Sequence, residues 1–287
     1  TVAVIGAGCI GLSIARSLSK LSPTHSPLHI IVVEAASTIA SKTSSRNSSV
    51  IHAGIYYPPN SLKAELCVTG KQQLFEYCAS NHINVRRCGK VIIDPSPTNT
   101  QISTKLESLL STGRRNNVTD LSLHTEQSLH ENLGEQNIHS PGGALFSPHT
   151  AVFDSNEFTQ CLYGEVCNHG NGSVDVVFHT KAKKVVKGLG GGLVLTCVSE
   201  NDGDIFDLEV DHVVNAAGLW ASYFEAPERD TPTPRTWFAR GNYLKLKSGI
   251  APPFSKLVYP LPDPKGGLGI HSGCDVNDLK AVRFGPD

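Results

Sequence analysis

The sequence predicts an α/β fold in which a Rossmann-like nucleotide-binding domain, residues 1–83 and 151–224, is interleaved with an α+β substrate domain, residues 84–150 and 225–287, containing a largely antiparallel sheet. Three observations predict it. The apolar run Val2–Ile5 leads directly into GAGCIG, and the following stretch repeats Ile10, Ile14 and Leu18 at helical spacing. A second apolar run, Ile30–Val33, ends on Glu34 and completes a βαβ unit whose two strands should lie side by side. The portion from Phe238 to Asp287 reads instead as antiparallel strands separated by Pro/Gly turns such as PLPDPKGG and FGPD.

Between these landmarks a helix is expected from about Leu62 to Asn81, and another from Asp154 to about Cys167. Strands should follow near 174–186 and 192–198, then the apolar strand and glycine turn of DHVVNAAGLW. The stretch from Val85 to Pro148 alternates short strands such as KVIID with polar helical segments and reads as chemically quiet.

Composition narrows the function classes. A chain of 287 residues with 39% hydrophobic content can bury a sizeable core. Its formal net charge of -1 gives no electrostatic reason to expect a nucleic-acid partner, so a small-molecule partner is expected. The eight cysteines form no CxxC pair and no metal-type spacing with His, which suits buried free thiols and no metal site. No apolar run approaches the roughly 20 residues needed to span a bilayer. The chain lacks Met altogether and opens on a strand, as expected of a piece of a longer polypeptide. The sequons at Asn47, Asn117 and Asn171 are short enough to arise by chance and carry no weight.

In GAGCIG, Gly6 permits the tight turn, Gly8 lets backbone approach a pyrophosphate, and Gly11 lets helix and strand pack closely. The phosphates then sit on a helix N-terminus, and Glu34 stands where a carboxylate accepts from ribose hydroxyls. Both NAD and FAD satisfy this fingerprint. The segment TSSRNSSVIHAGIYY favours FAD, because a nicotinamide enzyme would normally continue with another βαβ crossover. Ser44, Ser45, Asn47 and Ser48 suit a backbone lying along a ribityl chain, with His52 and Gly54 reaching the flavin ring. The bland alternative for His52 is a core histidine bonded to backbone. In VVNAAGLWA, the Ala-Ala-Gly end of the strand lets backbone come close to a ligand, although a plain strand-to-loop turn would look the same. Further on, Arg240, Tyr243, Tyr259, His271 and Arg283 cluster in one region, where a guanidinium fork and Tyr hydroxyls suit an organic acid. Singly, each reads more simply as a surface or structural residue.

Taken together, GAGCIG, Glu34, SRNSSVIHAGIYYPPNSLKAELC, VVNAAGLWA, RGNYLKL, VYPLPDPKGGLGIH and RFGPD resemble the FAD-dependent L-2-hydroxyglutarate dehydrogenases of the D-amino-acid-oxidase-like flavoprotein superfamily. GxGxxG and NAAG mark only the superfamily, whereas HAGIYYPPNSLKA and YPLPDPKGGLGIH look specific to the hydroxyglutarate branch. The resemblance implies that Gly6, Gly8, Gly11, Glu34, Ser44, Asn47, Ser48, Ala217 and Gly218 contact FAD. It also implies that His52, Tyr56, Arg240, Tyr259 and His271 line the substrate side, with Arg283 a further carboxylate ligand.

The implied reaction oxidises L-2-hydroxyglutarate to 2-oxoglutarate, with His52 or His271 as the base. Two alternatives stay open: oxidation of another 2-hydroxy or amino acid on the same scaffold, and a truncated non-catalytic remnant. The resemblance further implies an unknown electron acceptor, leaves open peripheral membrane association through it, and places the protein in mitochondria if eukaryotic, otherwise in the cytoplasm or at a membrane. Family members continue beyond a motif like RFGPD with a glycine-rich segment covering the flavin, so this chain is expected to be C-terminally incomplete.

Overall fold

The computed structural model describes residues 1–23, 25–96, 101–168, 173–224, 236–262, 269–278 and 280–286. The middle of PLPDPKGGLGIH, the sequon at Asn171 and the expected segment start at residue 225 lie outside them. The chain divides into two compact units, Thr1–Asn47 with Ser155–Ala239, and Ser48–Asp154 with Arg240–Asp287.

The first unit is built on a four-stranded parallel sheet in the order His212–Asn215, Val2–Ile5, His29–Val33, Ser173–Val177. Val2 pairs with Ile30 on one side and His212 on the other, so the two strands of the βαβ unit are neighbours. All four residues of Val2–Ile5 are buried, as a central parallel strand covered on both faces requires. The helix Cys9–Leu21 buries Gly11, Leu12, Ala15 and Ser19, one face of a 3.6-residue repeat. Behind the sheet, Thr180–Lys187, Leu193–Ser199 and Ile205–Val210 form an antiparallel meander whose Val185, Leu195, Cys197 and Val210 pack with Ala3, Ile5 and Val33.

In the second unit, a four-stranded sheet runs in the order Leu257–Pro260, Lys90–Ile93, Ala144–Ser147, Ser122–His124. Strands of two to four residues add two small antiparallel sheets, one joining Val50–Ile51 and Val85–Arg86 to Ala151–Phe153, the other joining Leu244–Lys245 and His271–Cys274 to Val282–Gly285. The expected antiparallel character of the C-terminal portion has one exception. Leu257–Pro260 pairs in parallel with Lys90–Ile93, a partner so far away in sequence that no local turn signal announces it. Residues 48–83, expected with the nucleotide-binding part, fall with the second unit, because Val50–Ile51 takes its ladder partners from Ala151 and Val152. The helix Leu62–Ser80 is capped by Ser61, whose hydroxyl accepts from Ala64 N at 3.2 Å.

One residue fixes the loop between them. Asn116, the C-cap of the helix Thr104–Arg115, donates through Nδ2 to the carbonyls of Gly54 at 3.0 Å and Tyr57 at 2.8 Å. Gly54 has φ +93°, and an added Cβ would lie 2.8 Å from Val68 Cγ2 of the neighbouring helix. The core beneath this loop contains Ala53, Ile55, Ile92, Leu106, Leu145, Leu257 and Tyr259.

Two substitutions test these constraints. Gly11→Ala should lower stability by about 1–3 kcal/mol, because its Cβ would lie 1.9 Å from Gly6 O and force helix from strand; urea denaturation reads this, and an unchanged midpoint would contradict it. Asn116→Ala leaves two carbonyls without their donor and should cost about 1–3 kcal/mol in the same assay, with near-ultraviolet circular dichroism reporting the altered tyrosine environment.

Candidate active site

Two groups of side chains meet the expectations, one in each unit. In the first unit, Gly6 (φ +101°) makes the turn, and a Cβ there would lie 2.7 Å from Ala216 O. Backbone from GAGCIG and from VVNAAGLWA therefore come into close contact. The helix beginning at Cys9 has Gly8 at its N-cap, with no side-chain cap and no acidic residue in its first turn. A Cβ on Gly8 would lie 2.9 Å from Ser44 Oγ, the hydroxyl that accepts from Cys9 N at 3.1 Å. An uncapped helix start with a bare glycine beside it is a cradle for a pyrophosphate, whose negative charge the N–H groups and helix dipole favour.

The remaining cofactor candidates of this unit gather around the same turn. Glu34 stands at the end of the second strand, accepting from Ala7 N and Ala36 N, both at 2.8 Å. Each carboxylate oxygen keeps a second lone pair for a ribose hydroxyl. Asn47 Nδ2 donates to Ser44 O at 2.7 Å and pins the loop carrying Ser44. Ala217 N donates to Asn215 Oδ1 at 3.2 Å, and Gly218 (φ +58°) opens a short 3-10 helix. These residues fit a dinucleotide such as FAD. Ser48 is half-buried and falls with the second unit.

The second group is built on the core of the other unit. His271 heads the strand His271–Cys274, is 5% exposed, and stacks on Tyr259 with ring centroids 4.1 Å apart. Its Nδ1 lies 3.0 Å from Gly269 O. A carbonyl can only accept, so the proton sits on Nδ1 and Nε2 carries the free lone pair. Tyr243 meets the same imidazole edge-on at 6.1 Å. Burial, partly countered by the Gly269 hydrogen bond, lowers the His271 pKa below 6.5, and the charge of Lys90 adds to the lowering.

His52 is placed by the loop that Asn116 clamps, and its carbonyl accepts from Cys67 Sγ at 3.6 Å. Burial first, then Lys90 and His271, push its pKa down to about 4. Tyr56, on the same loop, has a buried hydroxyl with no hydrogen-bond partner. Burial raises the pKa of both Tyr56 and Tyr259, so both phenols are neutral donors at physiological pH.

Lys90, in the stretch Val85–Pro148 expected to be chemically quiet, is a buried charged residue that sequence reasoning did not single out. It is 1% exposed, with Nζ 4.4 Å from the Tyr56 ring centroid and 5.0 Å from that of Tyr259. Register explains the placement: Lys90 and Ile92 share one face of their strand, and their partners Leu257 and Tyr259 share it too. Burial lowers its pKa to about 7. The available signal was a Lys at period two from a core Ile, in a strand otherwise wholly apolar.

The structure brings together His52, Tyr56, Tyr259 and His271 of the expected substrate residues. Arg283 pairs with Gly273, which puts it on the sheet face that carries His271, and its charge acts on Tyr243. Arg240 is exposed, with no hydrogen bond or ion pair among the described residues. Those residues contain no His/Cys/Asp/Glu group that could hold a metal, and no helix long and apolar enough to cross a membrane. All eight cysteines are free thiols, Cys274 Sγ lying 3.7 Å from Cys88 Sγ.

The chain is 34% identical over 309 residues to the mitochondrial L-2-hydroxyglutarate dehydrogenase of Arabidopsis thaliana, covering 99% of this chain and 61% of that protein. It is 30% identical over 277 residues to the Homo sapiens enzyme of the same name, covering 94% and 57%. The chain thus spans about three-fifths of the length of these relatives. Among solved structures, L-α-glycerophosphate oxidase from Mycoplasma pneumoniae with FAD bound shares the fold at a TM-score of 0.80 and 21% identity, covering 100% of this chain and 70% of that one. Glycine oxidase from Bacillus cereus shares it at 0.67 and 16%, covering 99% and 71%. Residues 1–275 match the family described as FAD dependent oxidoreductase (DAO), and the chain belongs to that family.

Proposed function

We propose that this protein oxidises L-2-hydroxyglutarate to 2-oxoglutarate, with His271 as the base. The observation that carries the reading is the His271–Gly269 hydrogen bond, which commits Nδ1 as donor and leaves Nε2 as a proton acceptor in a buried, aromatic setting. The relatives named for this substrate, matched along nearly the whole chain, support that choice of substrate. FAD, when bound, supplies the two-electron acceptor for the C2 hydride.

The chain's own residues do the rest. His271 Nε2 takes the C2 hydroxyl proton as that oxygen becomes a carbonyl. Tyr259, stacked on the imidazole, fixes the ring's plane and excludes water from one face. Arg283, on the same sheet face, orients a substrate carboxylate through its planar fork. His52, with its pKa held at about 4, is too weakly basic to compete for the proton and instead donates or accepts a hydrogen bond as a neutral ring. The proposed location is the mitochondrion if the source is eukaryotic, as in the relatives so named.

His271→Asn should lower kcat by roughly 10²–10⁴-fold, the usual contribution of a positioned base, with flavin content retained. His52→Asn should lower it much less, and equal losses would remove His271 from the role. Because the base must be unprotonated and its pKa is lowered, the acidic limb of kcat/KM should set in only below pH 6.5; an acidic limb with its inflection above that value would contradict the assignment. Anaerobic titration, watching the flavin band near ~450 nm, should show bleaching by L-2-hydroxyglutarate. Bleaching by the D form or by L-amino acids, with the L-hydroxy acid inert, would replace the substrate.

A further inference from the structure

Lys90 heads the largest side chains that are fully buried. The other two charged residues buried in this unit among those described are answered: Glu135 accepts from Ser255 N at 3.1 Å and lies 3.3 Å from Lys256 Nζ, and Asp94 accepts from Ser96 N at 3.1 Å. Lys90 Nζ has no hydrogen-bond acceptor and no carboxylate among the described residues. Beside it stand two aromatic faces, Tyr56 at 4.4 Å and Tyr259 at 5.0 Å, and the Cys67 thiol opposes part of the effect of burial. Ring faces attract a cation but satisfy none of its three N–H donors. A second orphan stands beside it, since the Tyr56 ring that faces Nζ carries the buried hydroxyl without a partner. A buried ammonium in that condition costs stability, and an apolar residue of similar length would serve packing better. Two unmet donors on neighbouring side chains have a common remedy, an anion with oxygen acceptors.

We propose that Lys90 and Tyr56 form a carboxylate-binding subsite, Lys90 supplying the charge and Tyr56 Oη a second donor. The subsite rests on these two residues alone; which acid fills it rests on the function proposed above. Tyr259 is shared by the two groups, its ring taking His271 on one contact and Lys90 on another. The subsite thus lies beside the base and fits one carboxylate of a 2-hydroxy dicarboxylic acid. The lowered pKa of Lys90 accords with it, since an arriving anion would restore the charge that burial opposes.

The test compares the FAD-loaded wild type with Lys90→Met and Tyr56→Phe, using glutarate as a dicarboxylate that cannot be oxidised. Isothermal titration should give a dissociation constant for glutarate raised on the order of 100-fold in Lys90→Met, and less in Tyr56→Phe. KM for L-2-hydroxyglutarate should rise in parallel with kcat changed much less, and the melting temperature should hold or rise. Affinity within threefold of wild type in Lys90→Met, or no binding of glutarate by wild type, would overturn the subsite. If wild type binds glutarate through Lys90 but does not oxidise L-2-hydroxyglutarate, the subsite stands and the functional reading falls. If L-2-hydroxybutyrate, with its single carboxylate, loses affinity equally, the carboxylate next to C2 is the one held; if it is unaffected, the distal one is. Should Lys90→Met fail to fold, the wild-type Lys90 ¹³Cε resonance decides: it must shift on adding glutarate, and a fixed resonance overturns the proposal.

Discussion

The carboxamide of Asn116 holds the carbonyls of Gly54 and Tyr57, and through them the whole loop from His52 to Tyr57. That loop cannot be held by a regular ladder, because its preceding strand, Val50–Ile51, is only two residues long and ends before His52. With φ +93° at Gly54 the chain reverses against Val68, which sends Ala53 and Ile55 into the core and leaves His52 and Tyr56 beside it. Asn116 itself is placed by the end of a helix whose Leu106 and Gly113 are buried. A cap residue of one helix therefore decides where a candidate catalytic loop runs, and removal of its two hydrogen bonds would release both histidine and tyrosine together.

Low polarity sets the chemistry of the cluster that this loop completes. Burial is the largest cause acting on His52, His271, Lys90, Tyr56 and Tyr259, and in each case it favours the neutral form. The imidazoles are consequently acceptors at physiological pH and the phenols donors. The nucleotide cradle in the first unit solves its electrostatic problem differently. It has no acidic residue in the first turn of Cys9–Leu21 and uses backbone N–H groups and a helix dipole. Fixed dipoles suit a pyrophosphate of constant charge, whereas a buried titratable cation suits a ligand that comes and goes.

What could be read from the sequence was whatever local spacing encodes. The βαβ unit was legible because Ile10, Ile14 and Leu18 repeat at helical spacing and Gly6 and Gly8 precede the helix, although the buried face is that of Gly11, Leu12, Ala15 and Ser19 and Ile10 is exposed. The helix expected from about Leu62 to Asn81 is found as Leu62–Ser80. The parallel pairing of Leu257–Pro260 with Lys90–Ile93 was not, since no turn links the strands and a short apolar run reads alike in either direction. Lys90 was lost for the same reason. At the head of a four-residue strand a lysine reads as a solvated end, and only the register with Leu257 and Tyr259 shows that its side chain lies on the core face. Family likeness named His52, Tyr56, Tyr259 and His271 for the substrate side and the structure gathers these four, whereas Arg240, named with them, is exposed.

Lys90 and His271 also constrain each other. As a bare cation, Lys90 lowers the basicity of His271 and of His52. A base weakened in this way is protected from protonation in the resting protein, but it accepts a substrate proton less readily. A carboxylate seated on Lys90 would cancel much of that field, because an opposite charge at hydrogen-bond distance offsets the ammonium's effect on its neighbours. His271 would then regain basicity only while an anionic substrate occupies the site. The arrangement couples the strength of the base to the presence of the molecule it must deprotonate, and it does so without any movement of backbone, through the charge on one buried lysine.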